Sequence, residues 1–184
     1  VLCFATILLT AYLPPLKLNT AHVSLKGSLA HMSEDIRNRH AEQIYSSEEV
    51  AFSRKALATI PSDALVINSP ADGSMWAYGV CGLNTYYRSI LLPGLTEDAN
   101  LIRENLVDFA RDPKVRDAVR RTGARYVLHL DKNVSYADGH WIWQFSEEMV
   151  QDWRGIDAID EETPGFSLVL AEGSDMRLYR IDAH

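Results

Sequence analysis

The sequence predicts an α/β fold in which a mixed, mostly parallel sheet is flanked by helices and ends in a β-hairpin. Apolar segments of strand length alternate with segments of helical periodicity between residues 46 and 131, an order typical of α/β proteins. Two further apolar segments, 166–171 and 176–181, enclose a turn at residues 172–175 and predict the hairpin. The chain has 184 residues, of which 47% are hydrophobic and 23% charged, as expected for one globular domain.

The ends of the predicted helices are marked by capping residues. Ser46 and Glu49 match a capping box that begins the first helix. Thr96 is the expected N-cap of a later helix, and Asp112, which precedes a proline, begins another that Gly123 ends. Helices are therefore expected at residues 46–60, 75–79, 96–109, 112–122 and 146–153, with Gly79 and Gly82 marking the end of the second. The apolar stripes of the first and third of these comprise Val50, Leu57 and Ile60, and Ile102, Leu106 and Phe109.

Strands are expected at residues 64–68, 83–88, 125–131, 166–171 and 176–181. The segment 125–131 has the clearest strand pattern of the five. In outline, the order of strands and helices is Rossmann-like. The insert at residues 132–164 contains three of the four tryptophans, and its acidic run at 157–162 is expected to be a solvated loop.

The beginning of the chain differs in composition from the rest. Residues 1–13 are apolar and precede two prolines, and this run is shorter than the ~20 residues that span a bilayer. We interpret it as the end of a transmembrane helix, with a buried core helix or part of a signal segment as alternatives. Residues 14–45 would then be a connector or stem, and residues 46–184 a soluble α/β domain.

Charge and cysteine content exclude several classes of function. The formal charge of -7, without a basic cluster, disfavours nucleic-acid binding. The two cysteines are too few for a disulfide scaffold. No metal site is expected, because the cysteines and the evenly spaced histidines (His22, His31 and His40) do not have the spacing of metal ligands.

The turn after the first strand is the strongest candidate for a ligand site. It contains Asn68, Asp72, Gly73 and Ser74, and ligands of open α/β sheets bind beyond the carboxyl ends of strands. The alternative is structural: Asp72 or Ser69 caps the following helix and Gly73 permits the turn. No G-x-G-x-x-G or Walker pattern is present, so no cofactor is expected.

Other candidate ligand-binding residues are aromatic or lie at a strand end. Trp76, Tyr78 and Tyr87 could stack on a sugar or a lipid head group, or belong to the core. Asp131 follows the strand 125–131 and could be a general base, accept a hydrogen bond from a sugar hydroxyl, or cap a turn. Trp141 belongs to an insert that could cover either a pocket or a sheet edge.

Three segments carry a resemblance to a known family: VINSPADGSMWAYG at residues 66–79, GLNTYY at 82–87 and RYVLHLD at 125–131. Together with the hairpin, they resemble the C-terminal part of the DUF6541 family of actinobacterial multi-pass membrane proteins. The resemblance covers residues 46–182. It implies an N-terminal membrane part similar to GT-C glycosyltransferases, with a soluble extracytoplasmic domain after it. Asp72, Tyr78 and Asp131 match the family pattern. Because the catalytic carboxylates of GT-C enzymes usually lie in the membrane part, no catalytic residue is transferred to this chain.

These observations favour an extracytoplasmic domain at the cell membrane that is accessory or ligand-binding in cell-envelope glycan assembly. Its expected partners are the membrane part of the same polypeptide and a glycan or polyprenyl-linked sugar. The motifs G-x-S-x-G, H-E-x-x-H and C-x-x-C are absent, so the sequence identifies no catalytic residue. A free-standing α/β enzyme acting on a small molecule and a protein–protein interaction module are the alternatives.

Overall fold

A computed structural model describes residues 45–89, 95–130 and 153–182. The helices are α1 (Ser47–Thr59), α2 (Ala77–Cys81), α3 (Glu97–Asn105), α4 (Pro113–Thr122) and α5 (Arg154–Asp157). The strands are β1 (Val66–Asn68), β2 (Tyr126–His129), β3 (Phe166–Glu172) and β4 (Met176–Ile181). None of the helices in these three ranges is long and apolar enough to cross a membrane.

The strands form one mixed sheet in the order β1-β2-β4-β3. β1 and β2 are parallel, whereas β4 is antiparallel to both β2 and β3. The α/β class, the mixed sheet and the hairpin are confirmed. The expected parallel majority is not found among the described strands, because the hairpin adds two antiparallel pairings to one parallel pairing.

Alternate residues of each strand enter two hydrophobic cores on opposite faces of the sheet. Ile67, Val127 and Tyr179 belong to a core shared with α3, α4 and α5. Their neighbours Val66, Leu128 and Leu178 belong to a second core, shared with α1. Helices therefore cover both faces of the sheet, which explains why β1 and β2 are apolar at consecutive positions.

The predicted caps are present in the structure. Ser46 and Glu49 form both bonds of the capping box, the Thr96 side chain accepts a hydrogen bond from the Ala99 amide, and Gly123 ends α4 in the left-handed conformation. The stripe of α1 is confirmed only in part, however. Ile60 is buried as expected, but Val50 and Leu57 are only partly buried, and the other buried positions are Glu49, Phe52, Ser53 and Ala56.

The strand predicted at residues 83–88 is absent from the described sheet. Thr85 forms a single parallel bridge with Val66, flanked by hydrogen bonds from Val66 N to Asn84 O and from Tyr86 N to Val66 O. The next contact to β1 uses the Asn68 side chain, which bonds to both backbone groups of Tyr87. A side-chain amide thus takes the place of the backbone ladder, and the strand ends after one bridge.

Smaller differences concern the ends of elements. β1 and β2 are shorter than the predicted segments 64–68 and 125–131. Two 3-10 turns, Pro70–Asp72 and Ser74–Trp76, precede α2. Of the two glycines expected at the end of this helix, Gly79 lies inside it, whereas Gly82 ends it with φ 75°. Most of the helix predicted at 146–153 lies outside the described residues, and α5 follows it. Asp157, expected in a loop, is the last residue of α5.

Candidate functional site

A cleft of about 590 Å³ opens at the carboxyl ends of the parallel strands β1 and β2. Its floor consists of the buried residues Asp72, Leu130, Ile159 and Tyr179. Its rim consists of the exposed residues Asp160, Glu161, Glu162, Ser174 and Asp175. His129, Asp157 and Arg177, each partly exposed, complete the lining. The volume falls within the range of small-molecule sites, roughly 300–1,000 Å³.

The antiparallel pairing of β2 and β4 brings this lining together. His129, the last residue of β2, pairs with Arg177 near the beginning of β4. The hairpin turn that precedes β4, with Ser174 and Asp175, therefore lies beside the carboxyl end of β2. The loop after α5 adds the acidic residues 160–162 from a third direction.

Asp72 connects the turn after β1 to the end of β2. Its Oδ1 accepts a hydrogen bond of 2.8 Å from the Ser74 amide, and its Oδ2 accepts one of 2.9 Å from the Leu130 amide. Gly73, with φ 87°, adopts the left-handed conformation that lets the chain turn back at this point. Gly73 permits the turn, as expected. The expected side-chain cap is absent from the two 3-10 turns at Pro70–Asp72 and Ser74–Trp76 and from α2. Asp72 instead accepts hydrogen bonds from the Ser74 amide and from the distant Leu130 amide.

Burial raises the pKa of the Asp72 carboxyl to about 7, although the hydrogen bonds from Leu130 and Ser74 oppose this change. The negative charge of Asp157 contributes a smaller part of this increase in pKa. The side chain is 3% exposed, so the charged form loses most of its hydration. A carboxyl group in the floor of the cleft thus exchanges its proton near neutral pH.

Asn68 and Ser74 hold the turn from within. The Asn68 Nδ2 donates to Ser74 Oγ and to Tyr87 O, both at 2.9 Å, and the Ser74 hydroxyl donates to Ser69 O. Asn68 and Ser74 are fully buried, and neither belongs to the cleft lining. Through these bonds, Asn68 and Ser74 stabilise the turn. Direct ligand binding by either residue stays a prediction.

The aromatic candidates lie in different environments. Tyr87 is 3% exposed, donates a hydrogen bond to Ala99 O and packs edge-on against Trp153, so it is a core residue. Trp76 and Tyr78 are 46% and 47% exposed, and the Arg88 guanidinium lies 3.7 Å from the centre of the Tyr78 ring. Trp76 and Tyr78 form a surface on and beside α2, outside the cleft lining.

The polar groups of the cleft can both donate and accept hydrogen bonds. Arg177 Nε donates to Glu161 Oε1 at 3.0 Å, and this pair joins the hairpin to the acidic loop. His129 Nε2 lies 3.0 Å from Ile156 O, which can only accept, so Nε2 carries a proton. The Asp160 carboxylate accepts hydrogen bonds from the Thr163 hydroxyl and the Glu162 amide, which lower its pKa below the ordinary range.

Of the sequence-predicted site residues that the structure describes, Asp72 alone lines the cleft. Asp131 and Trp141 lie outside the described residues. The sequence analysis did not propose His129, Asp157, Arg177 or Tyr179, nor the rim residues. The acidic run at residues 157–162 was visible in the sequence. Its contribution to a cleft, however, depends on the pairing of β4 with β2, which the sequence does not show. Within the described ranges, no group of three or more acidic, histidine or cysteine residues is arranged to hold a metal ion.

Comparison with known proteins assigns the chain to a family but to no characterised relative. No curated protein and no solved structure matches it. The model of the family of unknown function DUF6541 matches residues 1–183, which is nearly the whole chain. The chain therefore belongs to the DUF6541 family.

Proposed function

We propose that this chain is an extracytoplasmic domain of a multi-pass membrane protein and that its cleft binds a sugar during cell-envelope glycan assembly. In this proposal the domain is accessory, and a membrane part similar to GT-C glycosyltransferases carries the chemistry. The apolar run at residues 1–13 and the membrane part that the resemblance implies support the membrane context. The cleft is the observation that carries the binding function.

The lining of the cleft suits a small ligand with many hydroxyl groups. Carboxylates accept hydrogen bonds from hydroxyls, and Arg177 donates them. Leu130, Ile159 and Tyr179 provide apolar surface beneath these polar groups, and a sugar ring has apolar C–H faces. A few polar groups around an apolar floor are the usual composition of a small-molecule site.

The experiment is a titration of the full 184-residue chain with neutral monosaccharides and a polyprenyl-phosphate sugar, followed by ¹H–¹⁵N NMR. We expect saturable shifts of amides in the cleft, including those of Leu130 and Arg177. The double variant Glu162→Gln/Asp175→Asn removes one rim carboxylate from each side of the cleft. Its affinity should fall about ten-fold or more, since one hydrogen bond to a charged group contributes about 1.5–3 kcal/mol.

The matched control is Asp63→Asn/Asp117→Asn, which changes the net charge equally at exposed positions outside the cleft lining. Its affinity should equal that of the unmodified chain. Equal loss in both double variants would mean that the carboxylates act only through net charge. Absence of saturable shifts with every sugar would remove the binding function.

A free-standing α/β enzyme is the second candidate. The observation that favours it is Asp72, whose pKa of about 7 is suitable for a general acid or base. The same titration distinguishes the two functions. An enzyme would convert the added compound, so the NMR signals of that compound would change with time, whereas a binding domain would leave them constant.

A further inference from the structure

The Asp72 carboxyl joins two segments that are far apart in the sequence. One oxygen bonds to the Ser74 amide within the turn after β1, and the other bonds to the Leu130 amide at the end of β2. Leu130 is 58 residues away from Asp72, and both residues belong to the floor of the cleft. One side chain therefore adds a direct link between the turn after β1 and the residue after β2, beyond the backbone pairing of the two strands.

These two hydrogen bonds require the ionised form for their full strength. A carboxylate offers two acceptor oxygens, and its bonds are stronger than those of a neutral group. A protonated carboxyl has one oxygen that carries a hydrogen, and here both oxygens face a backbone N–H. Protonation therefore weakens at least one of the two contacts.

The surroundings of Asp72 oppose its ionised form. The carboxyl is almost entirely removed from water, and burial disfavours a charge. Its charged neighbour on α5 is Asp157, which has the same sign. The other titratable or charged groups of the lining are His129 on β2, Asp160, Glu161 and Glu162 in the loop after α5, Asp175 in the hairpin turn and Arg177 on β4.

We propose that Asp72 is a positioning residue whose proton controls the floor of the cleft. In the ionised state its two hydrogen bonds join the turn at residues 69–74 to the end of β2. In the protonated state at least one of these bonds is weakened. This inference goes beyond sugar binding, because it holds whatever ligand occupies the cleft. The raised pKa of Asp72, about 7, places the change near neutral pH.

The test is a pH titration of the full chain between pH 5 and 9, followed by the ¹H–¹⁵N signals of Ser74 and Leu130. Both amide protons should move to higher frequency as pH rises, with a single midpoint near 7. Asp157→Asn should move this midpoint to lower pH because it removes a repelling charge. Asp117→Asn, on the exposed side of α4, should leave the midpoint unchanged.

His129 precedes Leu130, and an unperturbed imidazole changes its charge near neutral pH, so a His129→Gln variant separates the two groups. The shift of Ser74 should persist in this variant, and its loss would assign the proton to His129 and overturn the proposal. Different midpoints for Ser74 and Leu130, or a common midpoint below pH 5, would overturn it as well. Asp72→Asn should abolish both shifts. If Asp72→Asn does not fold, the titrations of the unmodified chain, Asp157→Asn and His129→Gln still test the proposal.

Discussion

Asn68 illustrates how one side chain can replace a stretch of backbone. Its amide donates to Tyr87 O and accepts from Tyr87 N, the same pair of bonds that a neighbouring strand would make. It also holds Ser74, and through Ser74 the Ser69 carbonyl. Unpaired buried polar groups cost roughly 1–3 kcal/mol each, so this amide fixes both the turn after β1 and the segment beside it.

The raised pKa of Asp72 makes the free energy of unfolding depend on pH. Its pKa is about 7 in the folded chain and about 4 in an unfolded chain. The folded state therefore holds the proton more tightly, and the stabilisation from this group is complete below about pH 4 and is lost as pH rises through 7. The free energy of unfolding should fall between pH 5 and 7 by up to about 1.4 kcal/mol per pH unit, as measured by urea denaturation.

Three carboxylates with lowered pKa do not obscure this decline. Arg121 lowers the pKa of Asp98, Thr163 lowers that of Asp160, and hydrogen bonds from its own backbone amide and from Ser47 lower that of Glu48. Their stabilisation is lost only as pH falls below the ordinary range near 4. Asp72→Asn should abolish the decline, whereas Asp117→Asn should retain it. A stability that is constant or increases from pH 5 to 7 would contradict the assignment to Asp72.

At the scale of elements, the short helix α5 depends entirely on what it packs against. Four residues are too few for a helix to be stable alone. Trp153 and Ile156 are fully buried, and Gly155 lies directly against the end of α3. A Cβ atom at Gly155 would lie 2.3 Å from Asn105 N and 2.6 Å from Glu104 O. Since α5 leads into the acidic loop of the cleft, this contact also positions the rim.

Gly155 and Gly79 differ in the space that is available for a Cβ atom. Gly155→Ala should force α5 away from α3 and destabilise the fold by about 1–3 kcal/mol, the usual cost of overpacking. Gly79→Ala is the control, because a Cβ at this position in α2 meets nothing within 4 Å. Alanine there should be neutral or stabilise by up to about 1 kcal/mol. Urea denaturation measures both, and an equal effect of the two changes would contradict the close approach of α5 and α3.

For the whole molecule, two hydrophobic cores on opposite faces of the sheet place the polar cleft at one end of the parallel strands. Neither core includes the rim residues of the cleft. The rim residues can therefore be replaced without disturbing the packing of either core. Differences of this kind allow proteins of one fold class to have many functions.

The proposed membrane context predicts where in the cell the protein is found. If the domain belongs to a multi-pass membrane protein, the product of its natural gene should sediment with membranes. Protease added outside wall-stripped cells should digest the domain while a cytoplasmic marker protein remains intact. A product found in the soluble fraction, or protected with the marker, would contradict the proposed membrane context.

Features that depend on local hydrogen bonds were predictable from the residue types alone. The caps at Ser46, Thr96 and Asp112 and the left-handed Gly123 involve groups within a few residues of each other, so their residue types are sufficient signals. The hairpin of β3 and β4 is local in the same sense. The turn that contains Asp72 and Gly73 was also predictable from its residues.

The contacts between distant segments, in contrast, were not predictable from residue types. The position of β4 beside β2 brings His129, Arg177 and the hairpin turn to the cleft. Hydrogen bonds join Asp72 to Leu130, 58 residues away, and Asn68 to Tyr87, 19 residues away. Such pairings depend on how apolar faces pack together across the whole chain, and residue types along a single segment do not encode that packing.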